Sequence, residues 1–248
     1  MNSRPELHSS TTPMLAWLTM ALAGIIAPAV ALVVIASQET STPLPLVSGS
    51  ILAISLMGSG MIAAATSGRF WIGVLLAIVT VIGLVGLAHV LGLPALPDFA
   101  STGIAIVIAS VSFAARGALF ARSVAGKGWL IAVCVVAGEA AVVLTAVAMP
   151  GAWPDWILAL LPAQWATAAI QTSLTGAGAG AAIPVLLALG GTAMATMLVW
   201  GLWPRRWTYG IMFTVWLGLS ALVYHSPVPL AVDTEVAVEP VEGLYLSG

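Results

Sequence analysis

Charge is what this sequence has least of. Asp, Glu, Lys and Arg together make up 6% of its 248 residues, whereas a soluble domain carries about a quarter, so the water-facing surface of a soluble fold is not there. Lysine occurs once, at Lys127 in a loop, which excludes a retinal Schiff base inside a helical bundle. Cysteine also occurs once, at Cys134 inside an apolar run; this excludes an intrachain disulfide and reads as a small buried thiol. The seven basic residues are too few and too scattered for nucleic-acid binding. No G-x-x-x-x-G-K-[ST] loop, His-Glu-x-x-His helix, paired-cysteine metal site or carboxylate cluster occurs. "MGSGM" around Ser59 lacks the glycine that a membrane serine protease pattern needs at Met57. The expectation is a chain with no intrinsic catalytic activity; if ATP drives it, another chain must bind the nucleotide.

What is present is hydrophobicity, at 60% of the chain. Apolar runs at 14–36, 46–66, 70–93, 102–121, 129–149, 180–203 and 207–225 each come near the ~20 residues that a helix needs to span hydrocarbon. They are continuous instead of alternating, which argues against a membrane barrel. The fold class expected is all-α: a polytopic transmembrane helix bundle of seven spans, with one domain over 1–225, a polar tail at 1–13 and an acidic extended tail at 226–248. Ala29-Val30-Ala31 resembles a signal cleavage site, but the apolar run continues through "LVVIA", so the first segment reads as an uncleaved span. No internal repeat supports an inverted-repeat transporter.

The cations set the expected orientation, because Lys and Arg concentrate in cytoplasmic loops. An N-terminus inside, with Arg4, places Arg69 inside after two crossings and Arg122 and Lys127 inside after four. If the stretch 150–173 turns back without crossing, the span at 180–203 delivers Arg205 and Arg206 to the same side, and the C-terminus lies outside. If that stretch crosses, the strongest basic cluster falls on the wrong side. Seven spans plus an outer hairpin is therefore the expectation.

That stretch, "PGAWPDWILALLPAQWATAAIQTS", is broken by Pro150, Pro154 and Pro162, each without a backbone donor. Gln164, Thr167 and Gln171 recur at helical offsets as one polar stripe, and Trp153, Trp156 and Trp165 suit a membrane interface. These features predict a short helical hairpin at 150–173, re-entrant or interfacial, at the outer leaflet. The order of elements resembles the permeases of ABC-2 type exporters, which have a cytoplasmic N-terminus, five spans, a short outer re-entrant pair and an inward sixth span. "GALFARSVAGKGWLIAVCVVAGEAAVVLTAVAMPGAWPDWILALLPAQWATAAI" is similar to that family's order of a small-residue helix ending in Arg-Ser, a span, Pro, Pro-x-Trp, an apolar helix and Pro. The resemblance covers roughly residues 102–203. It implies a dimer driven by a separate nucleotide-binding ATPase subunit, with substrate passing between two permeases and the hairpin helping to close the exit.

Glu139 lies near mid-span, where a carboxylate must be paired, protonated or wet, and Arg116 on the preceding span is its natural partner. One reading is a proton or substrate site; the other is a structural interhelix pair. His89 and His225 lie near outer helix ends and could hold a b-type haem, although interfacial histidines without a cofactor are the simpler expectation. Trp71, Trp129, Trp203 and Trp207 read as interface anchors, and stretches such as "GSGMIAAATSG" as close helix packing. The function expected is the permease subunit of an ABC-2-like exporter in a bacterial inner membrane, working with an ATPase and the lipid bilayer. The alternative is a non-catalytic subunit of a larger respiratory, photosynthetic or secretion complex, which sparse charge and short loops would also suit.

Overall fold

The computed structural model describes residues 11–37, 44–92, 99–124, 126–175, 179–202 and 207–226. The helices are α1 (Thr11–Ala21), α2 (Ala27–Ser37), α3 (Leu44–Ser67), α4 (Phe70–Val90), α5 (Phe99–Ser123), α6 (Gly128–Ala148), α7 (Asp155–Leu158), α8 (Pro162–Leu174), α9 (Ala179–Gly201) and α10 (Trp207–Tyr224). A π-helical turn, Leu22–Ile26, joins α1 to α2 as one long helix. Among the described residues, seven helices are long and apolar enough to cross a membrane, which makes this an integral membrane protein. The expected spans agree with them to within a few residues. Arg4, Arg205, Arg206, Trp203 and the tail from 227 onward lie outside the described residues.

The bundle is organised around α3, 83% of whose apolar window is buried, against 17% for α10. Its sequence explains the position, because small residues let neighbouring backbones approach closely. A side chain at Gly117 of α5 would collide with the Met61 carbonyl of α3, and one at Gly73 of α4 would lie 2.5 Å from the Gly60 carbonyl. At Gly24 of the π turn it would meet the Ser59 amide at 2.7 Å. Pro28 accounts for the π turn. It has no N–H to give the Gly24 carbonyl four residues back, and the Ser55 hydroxyl of α3 donates to that carbonyl instead, at 2.6 Å.

Hydrogen bonds fix the relative directions of the helices. At the end of α5, Arg122 donates to the Trp200 carbonyl at 2.8 Å, and its guanidinium stacks 3.8 Å from the Trp200 ring. The end of α9 therefore lies beside the end of α5. Since α6 leaves from that same end, α7 and α8 begin and finish at the other one. There Thr102, in the first turns of α5, donates to Ser173 near the end of α8 at 3.2 Å, and Gln171 donates to Ser50 of α3 at 3.4 Å.

The prolines act as expected at the breaks. Pro150 follows the end of α6 beside Gly151, which has φ +81°; Pro154 caps α7; and Pro162 opens α8 at its first position. The placement of α8 differs from an interfacial helix. It is packed among α3, α5 and α9, and Gln164, Trp165 and Thr167 are buried, Trp165 completely. The Trp165 indole donates to the Ala159 carbonyl at 2.8 Å inside the protein and is not an interface anchor. Trp156 does face outward, as do Trp71 and Trp207. Cys134 is also corrected: it lies on the outward face of α6, because that helix buries a narrow stripe through Ala132, Val136, Val143 and Ala146.

Candidate functional site

The interior start of α8 demands a partner for every free amide, since an unsatisfied backbone group within hydrocarbon costs several kcal/mol. The residue before the helix is Leu161, whose side chain cannot cap it. The first four positions are nonetheless accounted for. Pro162 has no N–H. Ala163 N–H donates to Glu139 Oε2 at 2.9 Å, and Gln164 and Trp165 N–H both donate to the Leu161 carbonyl, at 3.0 and 3.2 Å. Glu139 of α6 is thus the cap that α8 lacks in its own sequence. When Glu139 is ionised the bond is charge-assisted and contributes about 1.5–3 kcal/mol, and its charge at the helix N-terminus adds up to about 2 kcal/mol.

Glu139 and Arg116 line one pocket of about 250 Å³. Both are half-buried. Each also has its own hydrogen-bond partner: Glu139 the α8 amide, and Arg116 the hydroxyl of Thr192 on α9, at 3.3 Å. The pocket has Pro162 at its top and Thr192 and Thr196 on its α9 wall, while Met212, Phe213 and Trp216 of α10 supply an apolar wall. It lies in the half of the bundle toward Arg122, and α8 fills the half toward Thr102.

No family model matches this chain, and no curated protein or solved structure matches it. The site must be read from its own geometry. Of the residues singled out in the sequence, Glu139, Arg116 and Pro162 come together. Pro150, Pro154 and Trp156 lie along the descending arm that leads to them, and Gln164 is buried one turn into α8. His89 is outward-facing at the end of α4, which packs on α3 and α5; His225 follows α10, which packs on α9. Those two helices share no extensive interface. His225 lies edge-on to the Tyr224 ring, 5.2 Å between centroids. Among the described residues, no three His, Cys, Asp or Glu side chains cluster as a metal site.

Sequence reasoning missed Thr192 and Thr196, which stand four apart on α9 and form a polar stripe in "GGTAMAT" that could have been recognised. It also missed the α10 wall. The backbone amide of Ala163 carries no signal in a sequence at all.

Proposed function

We propose that this chain is the membrane-spanning permease subunit of an ABC-2-like exporter, driven by a separate ATPase subunit, in a bacterial inner membrane. One observation carries the reading. Between the fifth and sixth long helices, the chain makes a helical pair that starts and finishes at one end of the bundle, and the sixth helix returns to the end of Arg122. Arg69 and Lys127 fall at that same end, between α3 and α4 and between α5 and α6. By the distribution of cations this end is cytoplasmic, so the hairpin and the C-terminus are outside and α8 re-enters from the outer face. Two copies would form the path, with the hairpins near its exit.

The test is to isolate the full-length chain through a tag in mild detergent, identify what travels with it by mass spectrometry, and assay ATP hydrolysis and export after reconstitution. An ATPase in near-equal amount, with ATP-dependent export, is the expected outcome. A stable functional complex without any nucleotide-binding protein would remove the reading. The connections at the cytoplasmic end are short, Gly68 and Arg69 in one case and residues 124–127 in another, and this favours a second reading, a packing subunit of a larger membrane complex. Copurifying haem, pigment or respiratory subunits would establish that reading instead.

A further inference from the structure

We propose that the pocket beside α10 binds a single-chain anionic amphiphile, with its acidic head group on Arg116 and its chain leaving sideways between α6 and α10. The inference stands apart from the exporter reading, whose resemblance stops before α10.

The direction of entry comes from packing. The flanks of the pocket are α6 and α10, which share no extensive interface, and Phe213 on the α10 flank is 56% exposed. The mouth therefore opens sideways, where a bilayer would lie. Arg116 is seven residues from the end of α5, roughly 10 Å along the axis at 1.5 Å per residue, so the mouth faces acyl chains and not bulk water.

The guanidinium selects the head group. A guanidinium has five N–H donors, and among the described residues the hydrogen bond of Arg116 goes to the neutral Thr192 hydroxyl, with the Phe113 ring 5.7 Å away. Glu139 is committed to Ala163 N–H at the start of α8, and that helix end carries about half a positive charge. Arg116 thus lines the pocket with N–H donors beyond the one it gives to Thr192. Ionised groups at this depth are costly unless paired or hydrogen-bonded, so an acceptor-rich acid completes the site.

Shape selects the chain. Phe120, Val135, Met212, Phe213 and Trp216 give the pocket an apolar lining next to its polar end. A volume of about 250 Å³ is below the ~300–1,000 Å³ of sites that enclose a whole ligand. It accommodates a head group and the first part of one chain, with the remainder lying in lipid.

Trp216 reports occupancy. The full-length protein in phosphatidylcholine nanodiscs would be titrated with stearate brominated at mid-chain, in parallel with the uncharged alcohol of the same brominated chain, following tryptophan quenching in wild type and in Trp216→Phe. Saturable quenching that the Trp216→Phe variant loses is expected, with the acid saturating at roughly tenfold lower concentration than the alcohol, the ratio for one charge-assisted bond. Arg116→Gln should abolish that preference and Arg116→Lys retain part of it. Equal saturation by acid and alcohol in wild type would overturn the proposal, and so would quenching unchanged by Trp216→Phe. The wild-type comparison needs no variant to fold, and neither ATPase nor transport enters it, so failure here leaves the exporter reading untouched and the reverse also holds.

Discussion

The two halves of this bundle, divided at the level of Glu139, are built from the same long helices and end up in opposite states. Toward Thr102 the space between α3, α5 and α9 is filled by α8, a 13-residue helix buried on nearly every side. Toward Arg122 no such helix enters among the described residues, and a pocket remains whose far wall, α10, is the least buried of the seven long helices described. The filled half is held by directional bonds at both ends of α8, while α10 packs on α9 largely through apolar contacts such as Leu219 over Gly191. The difference teaches that one inserted half-helix decides where this bundle is closed, and that the charged residues stand at the boundary because that helix must begin there.

The largest effect is expected from breaking the frame that both halves share. Gly117→Val forces a branched side chain into the Met61 carbonyl and should destabilise the protein by about 3 kcal/mol, the upper end for overpacking. Size-exclusion profiles and thermal unfolding in detergent would show it, and an unchanged profile would mean that α3 and α5 are not so close. Next, Glu139→Ala removes the cap of α8 and should cost about 2–3 kcal/mol, with hydrogen exchange rising selectively at Ala163. Glu139→Gln, which keeps an acceptor oxygen, should cost about half as much. Uniform exchange along α8 in both variants would refute the capping role.

A smaller effect sharpens the comparison. Adding Leu161→Ser to Glu139→Ala supplies a local cap and should recover about 1 kcal/mol, while Leu161→Ser alone, with Glu139 in place, should gain nothing. The smallest effect is at Thr167, whose buried hydroxyl has no partner among the described residues. Thr167→Val should be neutral or stabilising by about 1 kcal/mol; a clear loss of thermal stability would mean that the hydroxyl is bonded in the membrane.

Much of the long-helix frame was legible in the sequence, because each span is a continuous apolar run and the breaks carry Pro, Gly or the few charges. That 150–173 turns back was also legible, from the arithmetic of the cations, and the Arg122–Trp200 contact gives the same connectivity without using the basic cluster at 205–206. The depth of α8 was not. A tryptophan and polar side chains on a short helix look alike whether those side chains meet water or Ser50 and Thr102. The better signal was Ala163, Ala166, Ala168 and Ala169, small side chains on several faces of one helix, which imply close neighbours all round. Glu139 and Arg116 do line one pocket, but the hydrogen-bond partner of Glu139 is the Ala163 backbone amide, which a sequence does not mark.

The Pro28 turn has a consequence for how the chain is made. As the first helix emerges during synthesis, its Gly24 carbonyl lacks the usual donor four residues on, because Pro28 has no N–H, and the Ser55 hydroxyl that donates to it appears only 31 residues later. The first helix should therefore wait at the translocon and enter lipid together with α3 as a pair. Nascent chains stalled before Ser55 should remain crosslinkable to the insertion machinery, and those stalled after α3 should be released.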